Sequence, residues 1–116
     1  MGGISARFSA QPIYAAGVLY DGSAFVLDVP PHSPIIATDF SYVGVGKYNY
    51  EPSFFLSGID WYSVTVTESF VAGVPFLADV QEPGGLPAPF ISIFIRQGTT
   101  SPSYSDEEFF LVFSGS

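Results

Sequence analysis

The sequence predicts an all-β fold: an antiparallel β-sandwich, jelly-roll-like, of about eight short strands with no substantial helix. Three observations carry this. Strand-like runs recur along the whole chain, with turn chemistry between them. No stretch of a dozen residues sets apolar side chains at i, i+3, i+4 and i+7 without Gly, Pro or β-branched clusters breaking the pattern. Aromatic residues make up 17% of the chain against 12% charged residues, a composition opposite to that of disordered chains.

Nine strands are expected, over residues 4–10, 13–20, 24–29, 35–45, 53–57, 61–70, 75–80, 90–96 and 109–113. Asp21-Gly22 in "YDGSA" is the strongest hairpin signal. The rigid "VPPHSP" at 29–34 links the next two runs, because proline fixes φ and removes a donor. "KYNYEP" at 47–52 places Tyr48 and Tyr50 on one side of an extended segment and Asn49 on the other. Residues 81–89 and 98–108 read as loops. Even spacing of the strand signals leaves no linker, so residues 1–116 form one domain. An immunoglobulin-like sandwich meets the same strand count, without the cysteine pair of antibody domains.

Two runs are apolar on both faces. In "FISIFIR", Phe90 and Phe94 alternate with Ile91, Ile93 and Ile95; in "FFLVF", Phe109, Leu111 and Phe113 alternate with Phe110 and Val112. A sandwich strand normally shows its second face to water. These need cover, from a folded-over loop or from a partner subunit.

The run "SGIDWYSVTVTESF" at 57–70 poses a parity problem. Tyr62, Val64 and Val66 share one face, whereas Trp61 alternates with them and joins Ser63 and Thr65. A β-bulge at the Trp61-Tyr62 step would turn Trp61 into the core, and it is preferred because tryptophan is usually buried. Without it, Trp61 stands on the outer face, where a partner could cover it.

Charge excludes several functions. Three cations, Arg7, Lys47 and Arg96, stand against eleven carboxylates, for a net charge of −8. Nucleic-acid and anionic-membrane binding both need clustered Lys and Arg. No cysteine is present, so disulfides and thiolate metal sites are excluded. The opening "MGGISARFSA" has no apolar signal core, and Ala6 breaks the myristoylation pattern. No run is long enough for a membrane helix.

No catalytic constellation is expected. The single histidine, His32, sits between prolines, with no G-x-S-x-G and no H-E-x-x-H. Asp60 and Glu68 lie too far apart on one strand to act as a glycosidase pair. Asp106, Glu107 and Glu108 read as solvated gatekeepers before "FFLVF", and the calcium pattern D-x-D-x-D-G is missing. No cofactor or metal is expected, and the chain is not expected to be an enzyme. What remains are large amphipathic aromatics, the residues enriched at interfaces. The contact candidates are Tyr48, Tyr50, Trp61, Tyr62, Ile91, Ile93, Ile95, Phe110 and Val112. Tyr48, Tyr50, Trp61 and Tyr62 would serve equally as platforms on which sugars stack.

"ARFSAQ" at 6–11 and "FFLVFSGS" at 109–116 resemble the first and last strands of trimeric jelly rolls of the tumour-necrosis-factor and C1q type. The resemblance covers less than a fifth of the chain and transfers no functional residue. In general character the chain also resembles small bacteriophage virion accessory proteins: capsid decoration (cement) proteins and fibre tips. That resemblance implies a structural protein made in the host cytoplasm and carried in the virion. Its partners would be a major capsid or tail protein and copies of itself, a trimer being one form. The alternative is a carbohydrate- or receptor-binding β-sandwich module.

Overall fold

The structure, a computed structural model, describes residues 12–54, 56–67, 70–71, 74–98 and 103–115. Its strands are β1 (Ile13–Tyr20), β2 (Phe25–Asp28), β3 (Phe40–Gly44), β4 (Lys47–Tyr50), β5 (Ile59–Val66), β6 (Phe70–Val71), β7 (Val74–Gln81), β8 (Ile91–Gln97), β9 (Ser103–Tyr104) and β10 (Phe109–Gly115). They form two antiparallel sheets, as a β-sandwich requires. The four-stranded sheet runs β2-β1-β10-β5, and the six-stranded sheet runs β3-β4-β8-β7-β6 with β9 also on β8. Apart from a single 3-10 turn at Ala37–Asp39, no helix occurs among the described residues.

Local chemistry explains the elements. Asp21 closes the β1–β2 hairpin: its Oδ1 accepts from the amides of Ser23 and Ala24 at 2.9 and 2.8 Å. Those amide bonds, Ala24's foremost, hold the Asp21 carboxyl below its ordinary pKa. The expected strand at 35–45 is shorter than its pattern, because residues 37–39 form the 3-10 turn before β3 begins. There Asp39 is buried, and its carboxylate accepts from the Ser53 amide, which bends the chain out of the extended path. The expected strand at 53–57 does not form at its described residues, and the one at 4–10 lies outside the described residues.

The core between the sheets is aromatic. Tyr48, Tyr50, Phe109 and Phe113 are fully buried with Ile59, Ile91, Ile93, Ile95, Val18 and Leu111. Tyr50 lies 4.5 Å from Phe40 and 5.3 Å from Phe113, centroid to centroid, and Tyr14 stacks on Phe113 at 5.2 Å. Tilted and stacked pairs of this kind add to the area term.

Two glycines permit close backbone approach. A Cβ at Gly115 would stand 2.2 Å from the Gly58 carbonyl oxygen, so β10 ends tight against the start of β5. Gly46, with φ of 66°, sits where the partner of β8 changes from β4 to β9. Its carbonyl accepts from the Ile95 amide at 2.7 Å, and the Ile95 carbonyl then accepts from the Ser105 amide at 3.1 Å.

Candidate functional site

The β-bulge exists, but one residue earlier than the sequence suggested. Ser114 of β10 pairs with Trp61 and Gly115 pairs with Ile59, so Asp60 is the extra residue. Ile59 therefore turns inward and is buried. Tyr62, Val64 and Val66 keep the inward parity, and Trp61 stays outside with Ser63 and Thr65, 37% exposed. The expectation that Trp61 joins the core is corrected: the bulge acts on Ile59.

Five other contact candidates also move. Tyr48, Tyr50, Ile91, Ile93 and Ile95 are buried inside this chain and present no surface to a partner. The reason is visible in the strands themselves. Ser92 and Arg96 share their parity with Phe94, and Lys47 and Asn49 alternate with the two tyrosines. The polar residues take the outer face, so the isoleucines and tyrosines take the inner one. Phe94 is covered from outside by Tyr104 of β9, at 6.4 Å, and Lys47 lies over the Tyr104 ring. For β8 the cover is therefore a folded-over segment of the chain. Tyr62 is half-buried at the rim, its hydroxyl donating to Glu82 at 2.7 Å. That bond and partial burial raise its pKa.

Phe110 and Val112 do face outward, and nothing among the described residues covers Phe110, which is 47% exposed. They belong to a larger apolar surface on the four-stranded sheet. Register places Ile13, Ser114 and Trp61 in one row, then Ala15, Val112 and Ser63, then Asp28, Gly17, Phe110 and Thr65. Leu19 and Val26 form the next row on β1 and β2. Ile13 is 65% exposed and Val26 also lies in water. A groove of about 500 Å3 runs over Gly17, lined by Leu19, Val26, Asp28, Thr65, Thr67, Glu108 and Phe110. Gly17 creates its floor: a Cβ there would already meet Asp28 Cβ at 3.3 Å. Sequence parity held the signal for this face, since Ile13, Ala15, Gly17 and Leu19 share one side of β1, but only strand order sets them beside Phe110 and Trp61.

The acidic segment before β10 has a structural role. Asp106 Oδ1 accepts from the Gly46 amide at 2.7 Å and the Tyr48 hydroxyl at 2.8 Å, and Oδ2 accepts from the Tyr42 hydroxyl at 2.9 Å. It is a clamp between the β3–β4 turn and the approach to β10, not a free gatekeeper. Tyr42 in turn stacks on Tyr20 at 4.0 Å. Burial, then the bond to Asp106, raises the Tyr48 pKa well above its ordinary value; burial raises that of Tyr50, whose hydroxyl has no hydrogen-bond partner among the described residues.

These two tyrosines give the fold an alkaline limit. Below pH of about 10 both are protonated folded or unfolded, and they add no pH dependence. Above it, the unfolded chain releases protons that the folded chain retains. Stability then falls by about 1.4 kcal/mol per pH unit for each group. Phenolate absorbance from Tyr48 and Tyr50 is expected to appear only together with loss of the far-ultraviolet strand signal. Titration of all seven tyrosines in a chain that keeps that signal would refute this.

His32 is exposed in the loop after β2, with φ of 65°. No group of three or more His, Cys, Asp or Glu side chains that could hold a metal occurs among the described residues. No helix among them is long and apolar enough to cross a membrane. In comparison with known proteins, the chain matches no family model, no curated protein and no solved structure.

Proposed function

We propose that this chain is a structural accessory subunit that docks on a larger protein assembly, of the phage capsid or tail kind, through the outer face of its four-stranded sheet. The observation that carries the reading is the composition of that face. Ile13, Ala15, Trp61, Val112 and Phe110 run across it with only Ser and Thr between them, and its carboxylates, Asp28 and Glu108, stand around the groove at one end. Apolar surface of this kind, rimmed by polar residues, marks interaction sites. Docking would stabilise the assembly by mass action on the bound state. The jelly-roll form of the sandwich belongs to the same proposal. It is supported by the pairing of β1 with β10 and by the chain's repeated passage from one sheet to the other.

The test is co-expression with the products of the flanking genes, followed by gradient sedimentation. The chain is expected to travel with the assembled particle, and the double variant Trp61→Ser/Val112→Ser to stay at the top while remaining folded. A wild-type chain that stays at the top as a monomer overturns the reading. The carbohydrate-binding alternative loses Tyr48 and Tyr50, which are buried, and keeps Trp61 with the half-buried Tyr62; Tyr42, Tyr104 and Phe110 are further exposed rings among the described residues. A shift in Trp61 fluorescence on adding a glycan would favour it.

A further inference from the structure

We infer that the groove over Gly17 receives an arginine or lysine side chain from an extended segment of a partner protein. This deepens the docking proposal by assigning chemistry to one end of the face, and it rests on that reading. The groove holds about 500 Å3, in the range of sites that enclose a side chain or small ligand. Its floor is the Gly17 backbone beside Leu19, and its walls are Phe110 and Val26. Those surfaces suit the methylene stem of a long cationic side chain, and the ring face of Phe110 attracts the head.

The charges decide between occupants. Asp28 and Glu108 stand around Gly17 and Leu19, roughly 12 Å apart by strand spacing. Neither has a side-chain partner among the described residues. The two described cations lie on the other sheet, Lys47 over Tyr104 and Arg96 paired with Asp79. An anion would meet two carboxylates and no donor of opposite charge. A cation gains a charge-assisted hydrogen bond at either carboxylate, and Thr65 and Thr67 offer hydroxyls to the peptide that carries it. The chain's net charge of −8 draws the same partner from a distance.

The experiment uses the full chain, amide-resolved by nuclear magnetic resonance, and two probes: acetyl-Leu-Arg-Leu-amide and its citrulline counterpart, which keeps the shape and removes the charge. Saturable shifts are expected at Gly17, Leu19, Asp28, Thr65 and Phe110 with the arginine peptide. Citrulline is expected to bind about fivefold more weakly or worse, and the variant Asp28→Asn/Glu108→Gln to lose the difference between the two. Equal binding of both peptides, or no shift at these residues, overturns the proposal. So does a neutral disaccharide that shifts the same amides more strongly. The sedimentation result with Trp61 and Val112 is independent: a chain that docks but ignores the charge loses this inference alone.

Discussion

Gly46→Ala is expected to destabilise the protein by roughly 3–5 kcal/mol, a large part of the stability of an ordinary domain. Two costs combine. Gly46 has φ of 66°, a left-handed backbone that alanine adopts at a penalty. A Cβ there would also lie 2.5 Å from the Ile95 carbonyl oxygen and 2.7 Å from the Ser105 nitrogen. These are backbone atoms of the junction where β8 passes from β4 to β9, so they cannot swing aside without breaking the Ile95–Gly46 and Ser105–Ile95 hydrogen bonds. Gly84→Ala is the control, because Gly84 has φ of 77° and open space around it. It is expected to lose only about 1 kcal/mol, the backbone penalty by itself. Urea unfolding of the two variants measures the difference. Equal losses would show that the junction yields to a methyl group.

Asp106→Ala is expected to cost about 2–4 kcal/mol. The substitution strands the Tyr48 hydroxyl and the Gly46 amide, which are part-buried, and frees Tyr42. Removing one partner of a charged hydrogen bond leaves the other's desolvation uncompensated. Asp106→Asn keeps one accepting oxygen and is expected to lose about half as much. Tyr48→Phe in the Asp106→Ala background is expected to cost less than in the wild type, since the hydroxyl then has no acceptor to lose. A double-mutant cycle by urea unfolding measures the coupling, and strict additivity would show that the Tyr48–Asp106 bond contributes nothing.

The fold class was legible because its signals are local. β1 covers the residues that its pattern predicts, and β5, β7, β8 and β10 differ from theirs mainly at the ends. Asp21 and Gly22 placed the first hairpin, but its loop runs over four residues, 21–24, and is held by the Asp21 carboxylate. The candidate face was half legible. Of the contact candidates on the two strands that are apolar on both faces, Phe110 and Val112 face outward, whereas Ile91, Ile93 and Ile95 face inward, opposite the side that Ser92 and Arg96 mark as outer. Trp61 turned on one residue: the sequence contained the parity break, and the pairing of β5 with β10 put the bulge at Asp60.

By itself, the sequence determined that this chain is β-structured and acidic, because composition and two-residue periodicity act between neighbours. Tertiary structure decided what those residues do. Asp106 meets Tyr42, Gly46 and Tyr48 across some sixty positions of chain. The groove exists because strand order sets Gly17 between Asp28 and Phe110. Such contacts join residues distant in sequence, and periodicity, which reports only which side of a strand a residue takes, carries no information about the strand that will lie beside it.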